Sequence, residues 1–244
     1  FPLQGLMDAA YDSLLPAFSR SLPGLFAAYD ALPAADPLRA RLAEPVAALR
    51  GWDARWSAAS TPTSVAVFWG EALFAKVAPA AKAAGLSNLD YMADRATAAE
   101  RITALDEAVA RLTTDFGSWK TPWGEINRYQ RNDGAIVQTF DDAKASIPVP
   151  FTSAQWGSLA SFGARRYDGT KRYYGTSGNS FVAAIEFGPK VSARAVSAGG
   201  ESGNPASKHF AGQAERYASA DLRTVYFRPD QLTGHIERTY RPGE

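Results

Sequence analysis

The chain has 244 residues, of which 46% are hydrophobic and 21% are charged, and its 26 basic and 25 acidic residues leave a formal net charge of +1. This composition supplies a core for one large domain or two small ones. The basic and acidic residues are almost equal in number, which gives no support for a nucleic-acid or membrane-surface partner. The chain has no cysteine, which excludes disulfides, cysteine–zinc sites and thiol catalysis.

The N-terminus and the apolar runs bear on membrane and export signals. No apolar run approaches the ~20 residues of a membrane span, and no basic segment precedes an apolar one, as it would in a signal peptide. We therefore expect no membrane partner and no leader sequence. The chain starts at Phe1, and either proteolytic processing or a trimmed boundary would produce that start.

The first segment, residues 1–116, is predicted to be mainly helical. Apolar residues recur at helical spacing over 5–32 and are interrupted by Pro16 and Pro23, which predicts two or three short helices. The segment 37–50 has the pattern of one amphipathic helix.

The following tryptophans and the long apolar stretch predict two more helices. Trp52 and Trp56 are four residues apart, so we expect them on one face of a short helix. A helix is predicted over 65–84, with Gly85 as its C-cap. The residues that offer N-caps for this helix are Thr61, Thr63 and Ser64. The segment 94–116 carries an apolar stripe and predicts the strongest helix of the chain.

The second segment, residues 117–244, is predicted to be β-rich with a C-terminal helix. Four short runs predict strands, at 136–140, 147–151, 180–187 and 192–198. The last two are joined by a Gly-Pro turn and predict a hairpin. The segment 121–131 is predicted to be a loop with a buried Trp123, 211–222 a helix, and 224–227 β-like. The fold class is therefore α+β.

The predicted strands are few and are separated by long loops. If they were alone, such strands would leave unpaired edges. We therefore expect both segments, 1–116 and 117–244, to belong to one domain whose sheets are begun by another chain.

Two glycine–serine loops resemble the nucleophile elbow of α/β-hydrolases. They are GTSGN at 175–179 and GESGN at 200–204, and neither has a glycine two residues after its central serine. A tight turn between strands is the favoured interpretation, and Ser177 and Ser202 are not expected to be nucleophiles.

The remaining candidate groups also have structural interpretations. His209 is predicted to cap a backbone carbonyl and His235 to be solvated, and their wide spacing does not suit a metal motif. Asp141 and Asp142 are two ligands at most, so a turn or a helix N-cap is favoured over a cation site.

Two larger groups of side chains have competing interpretations. Core packing is favoured over an apolar acyl pocket for the aromatic group Trp52, Trp56, Phe68 and Trp69. Salt bridges between elements or subunits are favoured over an anion site for the basic group Arg128, Arg131, Arg165, Arg166, Lys171 and Arg172.

Three segments, in the right order, resemble the penicillin acylase family, and most closely its aculeacin or acyl-homoserine-lactone acylase branch. They are WDARWSAASTPTSVAVFWGEAL (52–73), TPWGEINRYQR (121–131) and YGTSGNSFVAAIEFGPKVSARAVSAGGESGNPASKHFAGQAERY (174–217). The third resembles the family's G-x-SG-N/D-P-x-S-x-H segment, which is followed by an aromatic-flanked glutamine. Together these motifs span roughly the whole chain and are far more specific than any one alone.

The resemblance implies an N-terminal nucleophile hydrolase with an αββα sandwich. Its precursor cleaves itself, and the freed N-terminal serine of the large subunit attacks the amide carbonyl, with its own α-amino group as base through water. A histidine backbone amide and an asparagine side chain stabilise the oxyanion. The implied substrates are N-acyl compounds such as acyl-homoserine lactones, acyl-amino acids, lipopeptides or penicillins, and the implied location is periplasmic or extracellular.

The same resemblance places this chain after the oxyanion asparagine, in the C-terminal part of the large subunit. The implied partners are the α subunit and the serine-bearing fragment of the same precursor, and this chain alone is not expected to be active. No catalytic or metal residue carries over, the substrate-binding residues stay unassigned, and no cofactor is expected. Asn127, Asn179 and Asn204 lie in matched segments other than the oxyanion segment, so none is assigned that role.

Two alternatives remain open at this point. One is a non-catalytic secreted module that binds ligands on Trp52, Trp123 and Trp156, which exposed aromatic rings would favour. The other is a stand-alone serine hydrolase built on Ser177 or Ser202, which needs a histidine and a carboxylate nearby.

Overall fold

The first half is helical in the computed structural model, which describes residues 2–241 and 243. Its helices are α1 (Leu3–Ala10), α2 (Pro16–Asp30), α3 (Pro37–Arg41), α4 (Ala43–Arg50), α5 (Thr61–Ala83), α6 (Asn88–Asp94) and α7 (Ala98–Phe116). Pro16 opens α2 as predicted, whereas Pro23 lies inside α2 without ending it. The single helix predicted over 37–50 is wrong, because the chain divides at Leu42 into α3 and α4.

The N-cap of helix α5 lies one residue before the first of the predicted N-caps. The cap is Ser60, whose hydroxyl accepts a hydrogen bond from the Thr63 amide at 3.1 Å. At the other end Gly85 has φ of +67°, and the amides of Gly85 and Leu86 donate to the carbonyls of Lys82 and Ala81. This is a Schellman motif, so the predicted glycine stop is confirmed.

Helix α5 also has the length and hydropathy of a membrane-crossing segment. It has 23 residues, and 56% of its most apolar window is buried inside the fold. The expectation that no apolar run approaches this length is therefore wrong for Thr61–Ala83. Burial of this degree is also what a core helix shows.

Helix α7 starts later than predicted. Residue 94 ends α6, and a capping box then opens α7: the Thr97 hydroxyl accepts from the Glu100 amide while the Glu100 carboxylate accepts from the Thr97 amide. Gly117 closes the helix with φ of +82°, so the predicted C-terminal limit is correct.

The short helix predicted to carry Trp52 and Trp56, over residues 51–59, does not form. Ala54 has φ of +58° and Arg55 forms an isolated antiparallel bridge with Leu14, so the segment runs as an extended connection. Trp52 and Trp56 consequently contact different rings. The Trp52 ring centroid lies 5.9 Å from that of Phe18 in α2, and the Trp56 centroid lies 5.7 Å from that of Phe151 in the second half of the chain.

The second half forms two small sheets. The first has the order β2-β1-β4-β3, and its strands are β1 (Asn127–Tyr129), β2 (Ile147–Pro148), β3 (Phe162–Arg166) and β4 (Tyr173–Gly178). The second has the order β5-β6-β7, all antiparallel, with strands β5 (Phe181–Glu186), β6 (Ser192–Ser197) and β7 (Arg223–Thr224). Short helices α8 (Trp123–Ile126), α9 (Ala214–Ala218) and α10 (Pro229–Leu232) and a 3₁₀ turn at Ala154–Trp156 complete the half.

The predicted strands have mixed outcomes. The β5–β6 hairpin is confirmed, with Phe181 opposite Ser197 and Glu186 opposite Ser192. The strand predicted at 136–140 is wrong, because this segment is a loop in which Ile136 is 101% and Val137 is 83% exposed. The strand at 147–151 shortens to two residues, and β1, β3 and β4 were not predicted.

The two halves share one core. Tyr173 of β4 stacks on Phe68 of α5 at 5.3 Å, and Trp156 stacks on Phe18 of α2 at 4.9 Å. The hydroxyl of the same Tyr173 donates to the Glu71 carboxylate at 2.8 Å. Burial raises the pKa of Glu71 in spite of that donor and of the nearby Arg111. The α+β class is thus confirmed.

Candidate functional site

The last two family-like segments meet at Arg131. Its guanidinium donates to the carbonyl of Phe210 at 2.5 Å and to the carbonyl of Ser202 at 3.2 Å. The same group lies 4.0 Å from the centroid of the Phe210 ring, a cation–π arrangement. One arginine therefore joins the start of the first sheet to the loop 199–213, which we call the glycine loop.

Gln213 holds the other end of the glycine loop. Its Oε1 accepts from the Ser197 amide at 3.1 Å, and its Nε2 donates to Glu201 at 2.6 Å. The Glu201 carboxylate also accepts a hydrogen bond from the Arg223 guanidinium at 3.1 Å. The donors of Gln213 and Arg223 hold the pKa of Glu201 below its usual range. The glutamine of the motif thus has a positioning contact that sequence spacing alone did not reveal.

Two glycines allow this close approach. A Cβ atom on Gly199 would lie 2.5 Å from the Tyr129 hydroxyl, and one on Gly200 would overlap the carbonyl oxygen of His209. The loop therefore needs glycine at both positions for steric reasons.

An open cleft of about 540 Å³ lies between β4 and the loop that follows β1. Its lining combines aromatic residues (Tyr129, Phe140, Phe162, Tyr217), small residues of β4 (Gly175, Thr176, Ser177) and charged or amide residues (Gln130, Arg131, Asp133, Gln138). Its size and mixed lining are those of a small-molecule or peptide recognition site.

Neither candidate serine has the partners of a nucleophile. Ser177 lies in β4, not at an elbow, and its hydroxyl has a 3.5 Å contact with the Thr176 hydroxyl. The Ser202 hydroxyl accepts from the Asn204 amide at 3.1 Å. No histidine ring contacts either hydroxyl among the residues that the structure describes, so the stand-alone hydrolase has no support.

The two histidines line a second open cavity, of about 750 Å³. The ring of His209 lies 2.6 Å from the Glu237 carboxylate, so the predicted contact with a backbone carbonyl is wrong. His235 is exposed, as predicted, and its ring stacks on that of Tyr226 at 3.9 Å. Lys208 and then His209 keep the pKa of Glu237 below its usual range.

The acidic pair has separate structural contacts. Asp142 accepts from the Tyr174 hydroxyl at 2.9 Å and from the Lys171 amide at 2.6 Å, and Asp141 accepts from the Ala143 amide at 2.9 Å. Burial, followed by Asp142, raises the pKa of Tyr174 to about 12. Over residues 2–241 and 243, no three histidine or acidic residues lie close enough together to hold a metal ion.

The side chains of the three asparagines in the family-like segments form hydrogen bonds with backbone groups. Asn127 is fully buried and donates to the carbonyls of Val149 and Phe151. Asn179 accepts from the Ser161 amide at 2.8 Å, and Asn204 stabilises its own turn.

Most of the basic residues bind backbone carbonyls or rings, so the prediction of salt bridges between elements of this chain is wrong for most of them, whereas salt bridges to another subunit stay a prediction. Arg166 alone of the six approaches a carboxylate, with Asp115 at 3.3 Å, as far as the described residues show. Arg128 donates to the carbonyls of Gly124 and Ser146, and Arg172 to that of Asp142.

The remaining contacts of this group follow the same pattern. Arg165 lies over the Tyr167 ring at 4.8 Å, and the backbone amide of Lys171 donates to Asp142. A guanidinium can saturate several carbonyls at once, which sequence composition does not show.

The aromatic groups are core. Trp69 is fully buried and Phe68 is 2% exposed, whereas Trp52 and Trp56 are partly buried against the same core. Trp123 and Trp156 are each 2% exposed, so neither is available as a platform for a ligand. The alternative of an aromatic binding module therefore loses two of its three residues.

Arg131 joins the end of β1 to the glycine loop, and neither Ser177 nor Ser202 has the contacts of an activated nucleophile among the described residues. The penicillin amidase family model matches residues 1–234. The chain therefore belongs to the penicillin amidase family, and the resemblance drawn from its motifs is confirmed at that level.

The chain is also similar to solved structures. One of them is a thermostable penicillin G acylase from Alcaligenes faecalis in its orthorhombic form, with 16% sequence identity and a TM-score of 0.45. The match covers 94% of the present chain and 47% of that chain. The chain thus spans about half the length of the chain it matches.

Proposed function

We propose that this chain is the C-terminal part of the nucleophile-bearing subunit of an acylase of the aculeacin or acyl-homoserine-lactone type. The complete enzyme hydrolyses the amide bond of an N-acyl substrate. A serine hydroxyl on a partner chain attacks the carbonyl carbon, the amine leaves with a proton, and water then releases the acid from the acyl ester. The other partner is the α subunit, and the enzyme works in the periplasm or outside the cell.

The observation that carries this proposal, beside the family match, is the exposed edge of β5. Within the described part of the chain, β5 pairs on one side only, with β6. Phe181 is 63% exposed, Ile185 is 47% exposed and Phe187, just beyond the strand, is 83% exposed. Alternate residues of a strand share a face, so these side chains form an apolar stripe beside unpaired backbone.

An apolar stripe at an open edge is unusual for an isolated sheet, because it is a template for another strand. We propose that a partner chain from the same precursor binds there and extends the sheet toward an αββα sandwich. Segments 1–116 and 117–244 then form one multi-chain domain, a proposal that their shared core supports.

The direct test is intact mass measurement under denaturing conditions, with N-terminal sequencing, of every chain in the native sample. We expect a co-purifying chain that begins with serine, in equal amount. Isolation of this chain alone, folded and monomeric, would overturn the proposal.

A variant pair locates the contact. Ile185→Lys places a charge in the β5 stripe and should abolish co-purification of the serine-bearing chain. Leu159→Lys is the matched control, because Leu159 is 65% exposed but lies outside β5. Equal co-purification of both variants would show that β5 is not the interface.

A further inference from the structure

A small cavity lies where the two halves of the chain join. Its volume is about 20 Å³, and its walls come from α5, α8, β1, the segment 152–156, β3 and β4. The polar residues among its lining are Glu71, Trp123, Asn127, Thr152, Ser153 and Tyr173. It shares one lining residue, Phe162, with the cleft between β4 and the loop that follows β1, and the inference drawn from it does not rest on the proposed acylase activity.

One wall of the cavity carries a donor without an acceptor. Trp123 is 2% exposed, and its indole Nε1–H has no hydrogen-bond partner among the described protein atoms. A buried donor left without an acceptor destabilises the fold, because it has lost its hydrogen bond to water.

Another wall carries an acceptor without a donor, the Oδ1 atom of Asn127. The hydrogen bonds of the same amide show which of its two ends is the oxygen. The Asn127 Nδ2 group donates to the carbonyls of Val149 at 2.8 Å and Phe151 at 3.0 Å. Both partners are acceptors, so the amide cannot be turned round. The Oδ1 atom, which is buried and unpaired within the protein, is therefore the atom left for the cavity.

A single molecule that pairs with both groups must accept a hydrogen bond from the Trp123 N–H, donate one to the Asn127 carbonyl oxygen, and fit a cavity of about 20 Å³. A water molecule needs a polar cavity of roughly 10–15 Å³ or more and two to four polar partners, and this cavity offers both. A metal cation would face the hydrogen of the Trp123 N–H, and an apolar atom would leave both groups unpaired.

We propose that this cavity is a binding site for one structural water molecule. The water accepts from Trp123 Nε1–H and donates one hydrogen to Asn127 Oδ1. Its second hydrogen points toward the polar groups of Glu71 and Thr152, which line the same cavity. The helical and β-rich halves are thus joined by a solvent molecule as well as by apolar contacts.

The test is a high-resolution crystal structure of the complete processed protein, with and without Trp123→Phe. In the wild type we expect one density peak within hydrogen-bond distance of both Trp123 Nε1 and Asn127 Oδ1. In Trp123→Phe that peak should disappear or move away from Asn127. Trp156→Phe is the matched control, because it also replaces an indole in the cavity wall by a phenyl ring. It retains the unpaired Trp123 N–H and Asn127 Oδ1, so the density peak should remain in this variant.

A solution measurement covers the case in which Trp123→Phe does not fold. Water–indole cross-relaxation on the wild-type protein should show a long-lived water at the Trp123 Nε1–H and none at Trp69, whose N–H is already bound to the Arg101 carbonyl. A cavity without density in the wild type, or a peak unchanged by Trp123→Phe, overturns the proposal, as does the absence of cross-relaxation at Trp123.

Discussion

The helical and β-rich halves of the molecule are held together by different interactions. Helices α5 and α7 end in local caps, at Ser60, Gly85 and Thr97, and bury an apolar face. The β-rich half has short strands and is fixed by side chains that donate to distant carbonyls, chiefly those of Arg131 and Asn127.

One residue of the helical half uses the second strategy. Arg101 is 5% exposed and donates to the carbonyls of Ser21, Ala93 and Ala96. The comparison shows that apolar periodicity organises the first half, whereas single polar residues organise the second. The two halves should therefore respond differently to mutation.

The largest effect is expected from Trp69→Ala in the helical core. Trp69 is fully buried, and truncation of a buried aromatic residue costs about 3–5 kcal/mol. Ile136→Ala is the control in the β-rich half, because that side chain is 101% exposed and its truncation should change the stability of the chain by less than about 0.5 kcal/mol. Urea denaturation of both variants checks this, and similar losses would contradict the division of roles.

Arg131→Ala should have the next largest effect. Hydrogen bonds to charged groups contribute about 1.5–3 kcal/mol each, and this substitution removes two of them together with the ring contact. Hydrogen exchange should show loss of protection confined to the glycine loop. Arg165→Ala, which removes only a contact with a ring in the described structure, should leave that loop protected, and loss of protection in both variants would remove the special role of Arg131.

Glu71→Gln tests the join between the halves through pH. Burial raises the pKa of Glu71 in the folded state, so the folded protein binds this proton more tightly than the unfolded chain does. Its contribution to stability is therefore fully present below the unfolded pKa and is lost as pH rises through the folded pKa.

Unfolding midpoints measured over the acidic to neutral range should accordingly decline less with pH in Glu71→Gln than in the wild type. Glu107→Gln, an exposed carboxylate paired with Lys76, is the control and should retain the wild-type decline. A decline that is unchanged in Glu71→Gln would show that this carboxylate does not control the join.

The smallest effect is expected at the start of α7. Thr97→Ala removes the hydroxyl of the capping box and should cost about 1 kcal/mol. Thr97→Ser retains the hydroxyl and should lose much less. Thermal unfolding compares the two, and equal losses would mean that the cap hydrogen bond is not responsible.

The sequence predicted the helical half better than the β-rich half for a physical reason. Apolar spacing and the glycines at 85 and 117 are local signals, and the helices and their C-terminal ends follow them. The error at 51–59 arose because the long-range bridge between Leu14 and Arg55 overrides the spacing of the tryptophans.

Strands β3 and β4 carry arginines, tyrosines and glycines instead of an alternating apolar pattern, so they were missed. The segment 136–140 has strand composition but no partner strand among the described residues, and it remains a loop. Of the candidate site, the motifs indicated which segments matter. They did not reveal that Arg131 and Gln213 bring those segments together, because such contacts depend on the folded geometry.

The open β5 edge also has a consequence for how this chain behaves when it is separated from others. The segment FVAAIEF contains one charge and no proline, a composition that favours self-association through cross-β pairing. The surface that would recruit a partner strand is thus also a site for aggregation. We expect light scattering of the separated chain to rise with concentration and to fall in Ile185→Lys, and its solubility would then depend on how continuously this edge is covered.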